Sequence, residues 1–116
     1  MVVFAEKALD SLVPQGVKCD LIDPRTTSPL DLKTILQSVE NTGRLIVVDE
    51  SPPRCSVASD IAAQVASQGF DSLQAPVELV TTPHAPVPFS PALERAYVPS
   101  PQKIAAAIVR TLRARR

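Results

Sequence analysis

The sequence predicts an α/β domain of three layers, with helices covering both faces of a mostly parallel sheet. Three observations carry this reading. Stretches with helical apolar spacing alternate with short apolar runs along the 116 residues. The clearest run, RLIVVD at 44–49, is apolar without alternation and stops at the carboxylates Asp49 and Glu50, as a strand buried on both faces does. Proline and glycine punctuate the joints between segments.

Taken in order, Phe4, Ala8, Leu9 and Leu12 recur at helical spacing, and Pro14 with Gly16 ends that helix. VKCDLI, residues 17–22, alternates and runs into Asp23 and Pro24, which predicts a strand. SPLDLKTILQSVENTG carries the strongest helix signal. Ser28 is placed to cap it, Pro29 suits the first helical position and Asp31 the acidic place of a capping box. Leu32, Ile35, Leu36 and Val39 form its apolar stripe, and Gly43 its left-handed stop. After the strand at 44–49, the prolines of SPPRCS forbid helix until about Ser56. Val57, Ile61 and Val65, with alanines 58, 62 and 66, then make a small-residue helix ending near Gly69. PVELV, residues 76–80, reads as a further strand, giving a sheet of three. Residues 81–101 carry six prolines and read as a long surface excursion. Ser100 and Pro101 open a last helix with Ile104, Ala107, Ile108 and Leu112 on its inner face.

Bulk properties narrow the function. The length fits one domain, 1–116, able to bury over about 60% of the surface its unfolded form exposes. Twelve Lys plus Arg balance twelve Asp plus Glu, so no global field points to nucleic acid or membrane. The basic tail RTLRARR reads as a solvated helix end, with an interaction arm as the second reading. Cys19 and Cys55 fit no CxxC pattern and read as reduced thiols of a cytoplasmic protein. Glu6, Lys7 and Asp10 exclude a signal peptide from the first twelve residues, and no apolar run approaches the roughly 18 residues of a membrane span.

The chemistry on offer is sparse. Three glycines allow neither GxGxxG nor a Walker loop, and the lone His84 allows no paired-histidine metal site. Asp49 and Glu50 lie where α/β folds place chemistry, at a strand's carboxyl end. They read either as a phosphoacceptor or metal-binding pair, or as anchors. In the second reading they accept from backbone N–H groups of the following loop or helix start and pair with Arg54. Asp23 and Arg25 offer a similar anchor after the preceding segment.

Three consecutive motifs go further. IDPRTTSPLD, ILQSVENTGRLIVVDES and FDSLQAPVELVTTPHAPVPFSPALERAYVPS resemble the carboxy-terminal, transketolase-like domain of the beta subunit of thiamine-diphosphate-dependent 2-oxoacid dehydrogenases. The spellings PRTTSPLD, DESPPRCS and TTPHAPVPFSPALE look most like the acetoin dehydrogenase branch. The resemblance implies that thiamine diphosphate and magnesium belong between an alpha subunit and a separate amino-terminal domain, with no cofactor held by this chain. It implies that Asp49, Glu50 and Arg25 fall on structural positions of the family. It also implies a domain that holds subunits together and docks a lipoyl acyltransferase core. Family members carry a strand directly before the first helix. Here a mis-called start, a fragment or a shortened substitute in MVVF would account for its absence, with unpaired strand edges as the consequence.

The resulting expectation is a non-catalytic assembly domain with an alpha subunit, a sister beta subunit and the acyltransferase core as partners. Phe89, Leu93, Tyr97 and Val98 are its expected contact residues, with anchoring of their own loop as the alternative role. Glu94 and the last helix are the expected acyltransferase docking region. The rival reading is an independent binding module with a ligand among Asp23, Asp49, Glu50 and Arg54.

Overall fold

The computed structural model describes residues 1–114. Helix α1 spans Val2–Leu12 and closes through a 3-10 turn, Val13–Gln15, at Gly16, whose φ of 74° is left-handed. Helices α2 (Leu32–Thr42) and α3 (Val57–Gln68) flank strand β1 (Ile46–Val48) in the chain. Strand β2 (Glu78–Val80), a short helix α4 (Pro91–Tyr97) and helix α5 (Pro101–Arg113) follow.

β1 and β2 pair in parallel, Ile46 opposite Glu78 and Val48 opposite Val80, with α3 as the crossover between them. The apolar run of β1 is explained by what lies on either side. Ile46 and Val48 pack with Ala8, Leu12, Val80, Ile104, Ala107 and Ile108, a cluster built by α1 and α5. Leu45 and Val47, of the opposite parity, pack with Ile35, Val39, Ile61, Val65 and Leu73 from α2, α3 and the connection after α3. Successive strand residues point to opposite faces, so a strand between two helical layers has no position for a polar side chain. The architecture is the predicted α/β/α sandwich.

The helices start where side chains replace missing backbone partners. Ser56 accepts from the Ser59 amide and Ser59 Oγ from the Ser56 amide, a reciprocal box at the head of α3. Ser100 accepts from the Lys103 amide at the head of α5. At α2 the structure corrects the sequence reading. The cap is Asp31, whose Oδ1 accepts from the Thr34 amide at 3.1 Å, and the helix begins at Leu32 rather than near Ser28 and Pro29. Asp31 Oδ2 also accepts from the Thr34 hydroxyl at 2.7 Å. The Asp31 carboxylate thereby satisfies two donors of Thr34 at once.

Four further expectations change. Residues 17–22 form neither helix nor paired strand, so the sheet has two strands among the described residues. Only Val17 and Ile22 of that stretch pack inward, and they join different clusters. Cys19 and Leu21 stay exposed, and Asp20 instead receives a hydrogen bond from Ser38 Oγ. MVVF forms the head of α1 and supplies no strand. Leu112 is 45% exposed, whereas Thr111 takes the inner position of α5. The proline-rich excursion contains α4. Of the basic tail, Arg115 and Arg116 lie outside the described residues.

The turn from α2 into β1 is tightly specified. Gly43 has φ 70°, and its carbonyl accepts from Gln74 N at 2.8 Å. A Cβ at Gly43 would meet the Gln74 side chain at 2.6 Å. Next to it, Arg44 Nε donates to the Thr111 carbonyl at 3.1 Å and joins the last turn of α5 to the sheet layer.

Two outcomes test this packing. Ile104, 2% exposed, sits centrally in the α1–α5 cluster, so Ile104→Ala is expected to cost about 2–5 kcal/mol in urea unfolding. Leu112→Ala is expected to stay within about 0.5 kcal/mol. The second concerns acid. Hydrogen bonds from Thr34, hydroxyl first and amide second, hold the Asp31 carboxyl below its ordinary 3.8. A carboxyl depressed in the folded state contributes stability that is fully present above its unfolded value and lost as pH falls through the folded one. Asp31→Ala is therefore expected to melt below the parent protein at neutral pH, with the gap narrowing once the pH drops under 3.8.

Candidate functional site

Two regions of the structure hold the residues singled out by the sequence. The first is the carboxyl end of the sheet. β1 stops where Asp49 N donates to Val80 O at 3.1 Å, and the Asp49 side chain then folds over its own loop. Its Oδ1 accepts from the Ser51 amide at 2.9 Å, and the Ser51 carbonyl accepts from Thr82 N at 3.3 Å. An aspartate two residues before a backbone N–H is the usual device for turning a chain at a strand end. Glu50 is exposed, with its carboxylate 3.8 Å from the Met1 nitrogen. Arg54 is exposed and makes no ion pair with Asp49 or Glu50 among the described residues.

Asp23 and Arg25 form a separate local unit. Arg25 Nη1 lies 3.2 Å from Asp23 Oδ2, and the Arg25 amide donates to Asp23 Oδ1 at 3.3 Å. Arg25 takes φ 61°, an uncommon conformation for a side chain of its size, within this turn. No hydrogen bond or ion pair among the described residues links this unit to Asp49 or Glu50. No three His, Cys, Asp or Glu side chains among the described residues come together as metal ligands. At Cys19, which is exposed, partial desolvation by the surrounding chain and then the Asp20 carboxylate push the thiol up and favour its protonated form.

The second region is the excursion from 83 to 98. Both flanks are fixed: Thr82 is 2% exposed, and Pro99 is fully buried. Between them the chain swings outward through Pro86 and Pro88 into α4, none of whose residues is buried. Phe89 is wholly exposed, at 104% of its reference surface, with Val87 at 71% and Leu93 at 60%. Tyr97 and Val98 are half-buried, and the Tyr97 hydroxyl donates to the Ala85 carbonyl at 2.9 Å, closing the excursion on itself. Of the residues named from sequence, Phe89 and Leu93 face solvent and Glu94 lies exposed beside them, whereas Tyr97 and Val98 turn inward. Val87 escaped the sequence reading. Its signal was alternation with Phe89, since V-P-F in an extended proline-flanked segment places both side chains on one side.

This fold has known counterparts. The profile of the transketolase C-terminal domain matches residues 1–104, and the chain belongs to that family. The beta subunit of an acetoin:2,6-dichlorophenolindophenol oxidoreductase from Cupriavidus necator is 54% identical over 113 residues, covering 97% of this chain and 33% of that one. Its counterpart from Bacillus subtilis is 53% identical over 100 residues, covering 86% and 29%. The beta subunit of a pyruvate dehydrogenase E1 component from Rhizobium meliloti is 38% identical over 105 residues, covering 90% and 23%. The chain thus spans about a third or less of the length of these curated relatives. A solved split-gene transketolase, described as an inactive beta4 tetramer, superposes with a TM-score of 0.77 over 98% of this chain and 37% of its own, at 21% identity. It shares the fold.

The anchoring role of Asp49 is open to direct measurement. Asp49→Ala removes the acceptor of the Ser51 amide, and equilibrium unfolding is expected to register a loss of about 1 kcal/mol. Arg54→Ala, which breaks no ion pair among the described residues, is expected to change stability by less than about 0.5 kcal/mol.

Proposed function

We propose that this chain is a non-catalytic assembly domain of the beta subunit of a thiamine-diphosphate-dependent dehydrogenase, of the acetoin or a 2-oxoacid type. Its 83–98 excursion packs against a second copy of the same chain, the sister beta subunit. The single observation that carries this reading is the arm itself. Val87, Phe89 and Leu93 stand in solvent on a segment whose two flanks are buried. Apolar side chains held outward in a group mark a contact surface rather than a loose loop.

The relatives support the kind of assembly, because the acetoin and pyruvate enzymes they come from are named as beta subunits. In the parent reaction, decarboxylation or carbon–carbon cleavage precedes acyl transfer to a lipoyl group. Thiamine diphosphate and magnesium act there in a part of the enzyme outside this chain. An alpha subunit and the lipoyl acyltransferase core are the further partners, with Glu94 and α5 as the acyltransferase contact, in a cytoplasmic complex. No helix among the described residues is long and apolar enough to cross a membrane.

Sedimentation equilibrium of the chain tests the central claim. A concentration-dependent dimer is expected. Full burial of a phenylalanine side chain contributes about 1.5–3 kcal/mol, so Phe89→Ser is expected to weaken the dimer roughly ten- to hundredfold. A chain that stays monomeric at high concentration, or a dimer indifferent to Phe89→Ser, would count decisively against the arm. The rival binding-module reading predicts heat on titrating thiamine diphosphate, inorganic phosphate or small carboxylic acids into the chain. None is expected.

A further inference from the structure

The arm poses a physical problem of its own. α4 has seven residues, and an isolated helix of fewer than about 12 residues is marginal in water even with favourable sequence. It has no buried residue to hold it by packing, and Ser90 at its head makes no side-chain cap. Proline at its first position helps it start but does not secure it. Something else must keep Phe89 and Leu93 in one arrangement.

The other end of the helix supplies it. Lys103, in the first turn of α5, reaches back so that its Nζ donates to the Ala96 carbonyl at 2.9 Å and to the Val98 carbonyl at 3.2 Å. These carbonyls belong to the last turn of α4 and the residue that ends it, where oxygens lack intrahelical partners and the helix dipole is negative. One ammonium thus answers both the open carbonyls and the dipole. α5, from which it reaches, is one of the best-anchored elements of the fold, with Ile104, Ala107, Ile108 and Thr111 buried. Its backbone at Lys103 is itself fixed by the Ser100 cap. The side chain ties a helix without a core to a helix that has one.

We propose that Lys103 is a latch: a positioning residue that holds α4 and the preceding loop in the shape presented to the partner, through its bonds to Ala96 and Val98. The inference rests on the arm being the contact surface, and it assigns to Lys103 a part in assembly without contact between Lys103 and the partner. Ordering the arm in advance removes an entropic cost that docking would otherwise carry. Removing the latch leaves every apolar contact side chain in place and weakens association through disorder alone.

The test uses Lys103→Met, which keeps a long aliphatic stem and a good helix former but no donor. Hydrogen exchange of the full chain reads the arm at two amides, Glu94, bonded to Ser90 O, and Val98, bonded to Glu94 O. Both are expected to exchange roughly tenfold faster in the variant, with the α5 amides of Ile104 to Ile108 unchanged. Sedimentation of the same variant is expected to show a dimer weakened severalfold. Unchanged exchange at Glu94 and Val98 would overturn the latch outright. Faster exchange with full-strength dimer, in a protein where Phe89→Ser does weaken the dimer, would overturn its role in presentation. Should Phe89→Ser leave association untouched, the contact surface itself falls, while the exchange measurement still decides whether Lys103 orders the arm.

Discussion

The structure depends on four consecutive apolar residues that serve two cores at once. Leu45 and Val47 close the cluster under α2 and α3, and Ile46 and Val48 close the one under α1 and α5. A parallel pair of three-residue strands has no independent stability, and here it exists because both faces are covered. A shift of one residue in β1 would exchange the two sets, so the register must be fixed from outside the strand. Gly43 and Arg44 do this from the amino-terminal side, through the Gln74 amide and the Thr111 carbonyl. Asp49 and the Ser51–Thr82 bond do it from the carboxyl side.

That constraint explains which elements were legible in the sequence. β1, α2, α3 and the start of α5 announce themselves because each places apolar side chains at a period that a neighbouring layer accepts, and Ser56, Ser100 and Gly43 sit at their ends in the expected chemistry. Residues 17–22 mislead because alternation in sequence records which side chains could point together. A strand requires a neighbour to hydrogen-bond with, and none lies beside them among the described residues. Asp31 is misread because a capping box and a direct aspartate cap share the same letters; only the position of the Thr34 amide and hydroxyl separates them. On α5, Thr111 and Leu112 are neighbours, and a drift of one position in the helical phase puts the threonine inside. Its hydroxyl, like that of Thr82, has no hydrogen-bond partner among the described residues, while its carbonyl holds Arg44.

The site was legible to a different degree. Carboxylates at the end of a buried strand are ambiguous by composition, since catalysis and loop closure ask for the same residue type in the same place. In the structure one Asp49 oxygen is engaged by its own loop, Glu50 faces solvent and Asp23 binds Arg25. The arm was visible as a proline-rich stretch with scattered apolar residues. What the sequence could not rank is which of those residues face inward. The half-buried Tyr97 donates its hydroxyl to the Ala85 carbonyl. Phe89 stays outside.

An arm in the proposed contact role separates stability from interaction in a way that a flat apolar face cannot. The two clusters place the buried side chains of α1, α2, α3 and α5 in the body of the domain, and α4 contributes none. The arm is therefore free to vary in apolar content without loosening the core. The polar bonds that close it run from Tyr97 and Lys103 to backbone carbonyls and involve none of the outward side chains. A core-packed helix would couple each change of contact residue to the folding free energy. Here the coupling is broken at Thr82 and Pro99, the two buried points at which the arm leaves and rejoins the body.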